Sequence, residues 1–426
     1  MTSTSTGTIN LARTQRQTIS TLAGSQVLGG VGVTAGVAVG TLLATDLSGS
    51  ETWAGLGGTS QTVGGALAAM VIARVMAARG RRPGLAVGYV IAIVGALLVI
   101  TAAVIGHFAL FLLGSLLFGG ATASNSQARF AAADLSEDRH RGRHLSIVVW
   151  ATTVGAVAGP NLTGLGDDAA RLLGIPVLAG PYLFSIVGLT LATAVLWCFL
   201  RPDPLLTARA LAEVEASPTS SDAEPGAVRT SNGSPARGLR TVLAHRPALL
   251  GMLAMALGHT VMVSVMVMTP LHMRHGEAGL EVIGIVISLH IVGMYAFSPL
   301  TGWAVDRFGG RVVVAAGSVL LLGAAVLAGT SHAGHSVQLT AALIMLGLGW
   351  SCTLIAGSTL LTGALTVAER PAAQGMADVA MGLAGGGGGF LAGVVVHQWG
   401  FGVLAVLAGG IAVALGSLTL LVRQRD

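Results

Sequence analysis

The chain has 426 residues, 53% of them hydrophobic and only 10% charged, with a formal net charge of +5 and a mean hydropathy of +0.78. That balance excludes an ordinary soluble domain, and repeated apolar runs of about 20 residues between short charged stretches read as membrane-spanning helices. The pI near 10.2 reports arginine at membrane edges rather than a nucleic-acid surface, so lipid is the expected partner and nucleic acid is not.

In chain order, residues 1–19 form a polar tail without a signal-peptide cleavage pattern. Spans are predicted near 20–45, 53–76, 84–105, 108–132, 145–165 and 181–200, which make a first six-helix bundle over 20–200. Residues 201–245 include EVEASPTSSDAEPGAVRTSNGSPARG, too polar and too rich in Pro, Ser and Gly to bury a core, and read as a flexible linker. Six more spans near 247–271, 281–304, 312–330, 337–364, 375–396 and 401–422 form a second bundle over 246–422, followed by a tail at 423–426. The expected fold is therefore all-α and integral to the membrane, with twelve transmembrane helices in two pseudo-symmetric bundles.

Arginine sets the expected orientation, because the chain contains no lysine. Arg13, Arg16, Arg79, Arg81, Arg82, Arg139, Arg141, Arg143, Arg307, Arg311, Arg370, Arg423 and Arg425 fall on one side of this map, and Arg171 and Arg274 on the other. The basic side should be cytoplasmic, which puts both termini and the linker inside and the protein in a bacterial plasma membrane. Cys198 and Cys352 sit in apolar helices without a pairing or zinc-ligand pattern. Without lysine there is no phosphate-binding G-x-x-x-x-G-K-[ST] loop, and no G-x-S-x-G stretch offers a hydrolytic serine, so neither an enzyme nor a bound cofactor is expected.

The loop between the eighth and ninth spans reads GWAVDRFGGR, with Gly302, Asp306, Arg307, Gly309 and Arg311 at the positions of G-x-x-x-D-R-x-G-x-R. Asp306 suits a helix cap or an arginine partner, and Gly309 and Gly310 permit a tight turn. The motif resembles the loop signature of the major facilitator superfamily. This resemblance implies an alternating-access carrier built from two six-helix halves, in which this loop latches neighbouring helices in the outward-open state. The matching first-half loop, ARVMAARGRRPG, keeps Gly80, Arg81 and Arg82 but has Ala73 and Ala77 where the motif wants Gly and Asp. In the fifth span, GAVAGPNLTG carries Gly155, Gly159, Pro160 and Gly164; it resembles the packing motif of the superfamily's drug–proton antiporters and implies a close-packed, bent helix.

The seventh span places Met255, His259, Met262 and Met266 on one helical stripe, and the eighth adds His290 and Met294 one turn apart. Antiparallel counting from the intervening loop levels Met262 with His290 and His259 with Met294, so two His–Met pairs are expected to face each other. Thioether and imidazole suit a soft ion such as Cu(I). M-x-x-x-M followed by H-x-x-x-M resembles the CcoA-like copper importers of the superfamily, which implies copper as the transported substrate. Read without that resemblance, the methionines are equally an adaptable apolar filling. His272, Met273, His275, His332 and His335 fall at the opposite mouth, where they form either a capture site for metal or ordinary polar loop ends.

Gln26, Asn125 and Gln127 are the polar residues expected to face a central cavity or to join helices. Asp46 and Glu51, Asp134 and Asp378 fall near span ends, which leaves His259 or His290 as the expected midplane titrating group and Arg129 to snorkel or pair with Asp134. The functional expectation is a monomeric secondary active transporter taking up copper. The alternative is a proton-coupled efflux pump for drugs or other small amphipathic organic solutes.

Overall fold

The computed structural model describes residues 10–50, 53, 55–215, 234–277, 279–332 and 336–421. The first four spans are α1 (Leu11–Ser48), α2 (Leu56–Arg79), α3 (Arg81–Ile105) and α4 (Phe108–Ala131). α1 starts well before the expected span because the Asn10 side chain caps it, accepting from the Arg13 N–H at 3.0 Å. Its first turns also bury Thr14, Gln15 and Thr18. The Gln15 Nε2 donates to the Ala132 carbonyl at 2.7 Å and to the Ser136 hydroxyl at 2.9 Å, which ties the added turns to the end of α4.

The fifth span is broken. α5 (Arg141–Asn161) passes into α6 (Thr163–Leu173) with a 50° bend just beyond Pro160. α6 reads TGLGDDAARLL, too polar for hydrocarbon, so the expected span loses its last turn to this amphipathic segment. α7 (Gly180–Phe199) completes the first half.

The segment between the halves is more ordered than its composition suggests. α8 (Pro204–Glu215) and α9 (Pro235–Ala244) occupy its two ends, and residues 216–233 lie outside the described residues. α8 buries Leu205 and Ala208, while α9 buries Val242 and sets Gly238 against the backbone of Ala372.

The second half begins with α10 (Arg246–His275), which continues through Pro270. Its eighth span is divided into α11 (Leu280–Tyr295) and α12 (Ser298–Phe308), with Pro299 opening the second piece. α13 (Gly310–Gly329) and α14 (Ser336–Gly363) follow, and α15 runs from Arg370 to Leu421. At about 1.5 Å per residue α15 is far longer than a bilayer is thick. It reverses at Gly400, whose φ of +83° is left-handed and favours glycine. Beyond that residue it returns along α13: Gly402 approaches Gly329, and Gly416 approaches Ser318. Ten helices are long and apolar enough to cross a membrane, the bent α5–α6 pair makes eleven, and the two passes of α15 bring the number of crossings to twelve among the described residues.

The two halves repeat one packing plan. α1 lies on α5 as α10 lies on the first pass of α15, and α2 lies on α4 as α11 lies on α14. The pairing of α3 with α4 and α7 is likewise repeated by α13 with α14 and the second pass of α15. Small residues allow these contacts: the backbones of Gly155 and Gly30 approach so closely that a Cβ on Gly155 would lie 2.7 Å from the Gly30 backbone.

Candidate functional site

The halves meet mainly through α2 with α15, α5 with α11, α12 and α14, and α4 with α15. The named contacts concentrate on the side of the membrane that carries the chain termini. There, a Cβ on Gly142 of α5 would come within 2.7 Å of the Gly302 carbonyl on α12, and one on Gly375 of α15 within 2.5 Å of the Ala73 Cβ on α2. The Ser298 hydroxyl donates to the Ser146 carbonyl across the same seam at 3.1 Å. The structure is sealed on this side.

The seal contains the eighth–ninth loop motif. Among the described residues Asp306 pairs with no arginine side chain; its two carboxylate oxygens accept from the backbone N–H groups of Gly142 at 2.7 Å and Arg143 at 2.9 Å. The acid thus caps the first turn of α5 in the opposite half, where the helix dipole favours negative charge. Gly309, at φ +86°, makes the turn into α13, Arg307 is exposed, and the Arg311 Nη2 donates to the Thr419 carbonyl within its own half.

Two buried charge clusters follow above and beside this cap. In the first, the Arg81 guanidinium holds Asp134 through two bonds of 2.7 and 3.1 Å and donates to the Gln374 Oε1 of α15 at 2.7 Å, with Arg370 3.8 Å from the same carboxylate. In the second, Asp378 of α15 accepts from Arg129 Nη2 and Gln127 Nε2 of α4, each at 2.6 Å. Arg129 therefore pairs with Asp378, where the sequence led to snorkelling or a pair with Asp134. α4 ends at Ala131, and the following turn directs Asp134 to Arg81 instead. Asp378 was legible only as a carboxylate near the start of a span, since its partners lie some 250 residues away.

Beyond Asp378 the network runs on into the second half. The Arg129 Nε donates to the Ser358 hydroxyl at 3.1 Å, and that hydroxyl lies 3.6 Å from the Met255 sulfur, to which it donates. One turn along α10, His259 accepts at Nδ1 from the Trp350 indole N–H at 2.9 Å. The Trp350 ring also meets Tyr295 edge-on, with centroids 5.5 Å apart. Gly385 makes room for the His259 ring: a Cβ there would stand 2.4 Å from its Cδ2. Trp350 and Tyr295 were not singled out in the sequence, although Trp350 is the one aromatic residue of α14.

The expected His–Met pairs are arranged otherwise. α10 packs on α15 and α14, and α11 on α14, with little contact between α10 and α11, and each histidine is tied to α14. His290 is fully buried with its Nδ1 2.7 Å from the Leu343 carbonyl, to which it donates, while its Nε2 has no hydrogen-bond partner among the described residues. Met255, Met262 and Met294 belong to a buried apolar cluster with Val265, Val286 and Leu343, and Met266 lies at its edge. Among the described residues, no three His, Cys, Asp or Glu side chains gather to hold a metal ion.

At the opposite mouth the His272 Nε2 lies 3.3 Å from the hydroxyl of Ser331, the residue before His332. His272 stacks on Phe401 with ring centroids 4.3 Å apart, Met273 is buried in the core and His332 is exposed. His335 and the side chain of His275 lie outside the described residues. Of the expected cavity residues, Gln26 donates to Thr152 at 2.9 Å, Asn125 accepts from the Tyr89 hydroxyl at 2.6 Å, and Gln127 is taken up by Asp378. In the fifth span Gly159 faces Thr34 of α1, while Gly164, past the bend, has open space.

Comparison with known proteins places this architecture. The family model of the Major Facilitator Superfamily matches residues 22–282 and 278–426. The uncharacterized MFS-type transporter YddS of Bacillus subtilis (strain 168) is 38% identical over 391 residues, which is 92% of this chain and 87% of that protein. The riboflavin transporter RfnT of Brucella anthropi is 28% identical over 394 residues, covering 92% of each. Among solved structures, the proton:xylose symporter XylE bound to 6-bromo-6-deoxy-D-glucose superposes with a TM-score of 0.75 at 14% identity, over 96% of both chains. With its twelve crossings, its repeated halves and these matches, the chain belongs to the major facilitator superfamily of membrane transporters.

Proposed function

We propose that this transporter is a proton-coupled carrier of a small, polar organic solute with a planar ring, and that the side carrying the termini is cytoplasmic. The observation that carries the reading is the trio of His259, Trp350 and Tyr295, set one turn from the charge network that joins the halves. Such a trio offers ring faces for stacking and an imidazole for hydrogen bonding. Gln26 and Gln127 each keep a buried carbonyl oxygen without a protein partner, which suits a donor group on a solute. The full-length similarity to a riboflavin transporter supports the same substrate class. Arginine on the termini side supports the orientation.

Uptake into proteoliposomes holding the full chain tests this, with riboflavin and a panel of labelled heterocycles as probes. Wild type should accumulate at least one of them above empty liposomes, and Trp350→Ala should lower that rate by roughly three- to tenfold, the range of a lost aromatic contact. Accumulation of none would remove the proposal.

A soft-metal reading has one observation in its favour: the unpartnered Nε2 of His290, with Met294 one turn along the same helix. Copper content of expressing cells separates the two. His290→Ala should lower it under the metal reading and leave it unchanged under the organic one.

A further inference from the structure

We infer that α6 lies in the interfacial layer of the leaflet opposite the termini and inserts Leu165, Leu172 and Leu173 among the lipid chains. The inference goes beyond the carrier reading and is independent of the solute and of the coupling ion.

α6 reads TGLGDDAARLL, and its eleven residues divide into three strips. Gly166 and Ala170, four apart, form the buried edge. At about 100° per residue, Leu165, Leu172 and Leu173 fall on an arc beside that edge, while Asp167 and Arg171 share the arc turned away from the leucines. The three leucines are 57%, 87% and 60% exposed, respectively. Large apolar side chains gathered on one free face call for a cover.

The position of α6 says what that cover is. The helix follows the membrane-spanning α5 after a single residue, Leu162, and the 50° bend tips it off the direction of crossing. Gly174, at φ +68°, ends it and returns the chain through the short turn at Val177–Ala179 into α7. The buried edge rests on the first turn of α7: a Cβ on Gly166 would stand 2.8 Å from the Pro181 nitrogen, and one on Gly180 3.1 Å from the Ala170 Cβ. α6 is thus held at the level where α7 enters the bilayer. It packs on α7 and the turn before it, with slight contact to α1 and α5, and none of these belongs to the second half. The leucines therefore lie on the rim of the first half, not across the mouth between the halves. α7 itself exposes Val187 and Leu191 at one-turn spacing, a lipid-facing row on the helix that supports α6. Two acids and one arginine give α6 no net attraction to anionic headgroups, so the apolar arc carries the contact. Helices of this kind sink their apolar face about 5–10 Å into the boundary between headgroups and acyl chains.

Nitroxide labels on the full chain, in vesicles of phosphatidylethanolamine and phosphatidylglycerol, test this. Leu165→Cys, Leu172→Cys and Asp167→Cys are labelled one at a time in a background carrying Cys198→Ser and Cys352→Ala. The two leucine positions should collide with dissolved oxygen more than with a water-soluble nickel complex, at a depth of about 5–10 Å below the phosphates. The label at Asp167→Cys should show the opposite order. A preference for nickel at both leucine positions overturns the inference, because the helix then stands in water. Shielding from both reagents overturns it too, because protein rather than lipid then covers the leucines. If the background without native thiols does not fold, Leu172→Trp in the otherwise unchanged chain gives the same reading. Lipids brominated near the headgroup end of their chains should quench the added emission, more strongly than lipids brominated near the chain ends, and an unquenched tryptophan overturns the inference.

Discussion

The two halves close the same side of the molecule with different chemistry. The second-half loop uses a partly exposed carboxylate, Asp306, against two backbone N–H groups at the start of α5, with Gly142 and Gly302 face to face beside it. The first-half loop lacks that acid, since Ala77 takes its place, and relies on the fully buried guanidinium of Arg81 between Asp134 and Gln374. A second acid arrives from outside the motif: the Asp203 carboxylate accepts from the Arg82 N–H at 2.8 Å, at the start of α3. Arg209 of α8 then donates to the Ala77 carbonyl at 2.9 Å. A helix cap can be made and broken in water at small cost. A buried ion pair resists change until both partners are solvated.

That difference can be broken from the buried side first. Arg81→Ala leaves Asp134 with only the longer Arg370 contact and should destabilise the protein by ~3–5 kcal/mol, as expected for an orphaned buried charge. Thermal unfolding in detergent reads this directly, and a loss similar to that of Asp306→Ala would show that the two loops do not differ in kind. Next in size, Gly302→Ala drives a methyl into the Ser146 hydroxyl and the Gly142 carbonyl, at ~1–3 kcal/mol of overpacking. Faster exchange of α5 and α12 amides would register it, whereas unchanged exchange would mean that the seam is looser than drawn.

Asp306→Ala, by contrast, should cost ~1–2 kcal/mol, the range for a lost helix cap, with Asp306→Asn costing less because one acceptor is kept. Added salt should narrow the difference between these two variants, because the partly exposed carboxylate is screened. Smallest of all, Glu137→Gln removes the exposed pair with Arg139 and should change stability by under ~0.5 kcal/mol. A larger shift would mean that surface charges, too, take part in closure.

Run length and arginine placement carried the architecture a long way. The apolar runs marked the crossings, and GWAVDRFGGR marked the loop that holds Asp306, because a turn and a cap are local events written in adjacent residues. The partner of Asp306 was not legible, since a backbone N–H has no residue identity to read. Arg129 shows the same limit from another direction. Its nearest acid along the chain is Asp134, but the end of α4 at Ala131 turns the two apart and sets Arg129 against α15. The His–Met expectation failed to foresee α14, because adjacency in sequence between the seventh and eighth spans does not fix which neighbour fills the space between them. The ends of the linker were misjudged because composition averages over 45 residues, while α8 and α9 need only a short apolar face each.

The reversal of α15 at Gly400 leaves almost no slack between the last two crossings. A displacement of the first pass at the seam must therefore drag the second pass along, and α13 with it, as a lever drags its far arm. Lengthening that corner by a few flexible residues would uncouple stroke from load, leaving a molecule that still binds at its centre but turns over sluggishly.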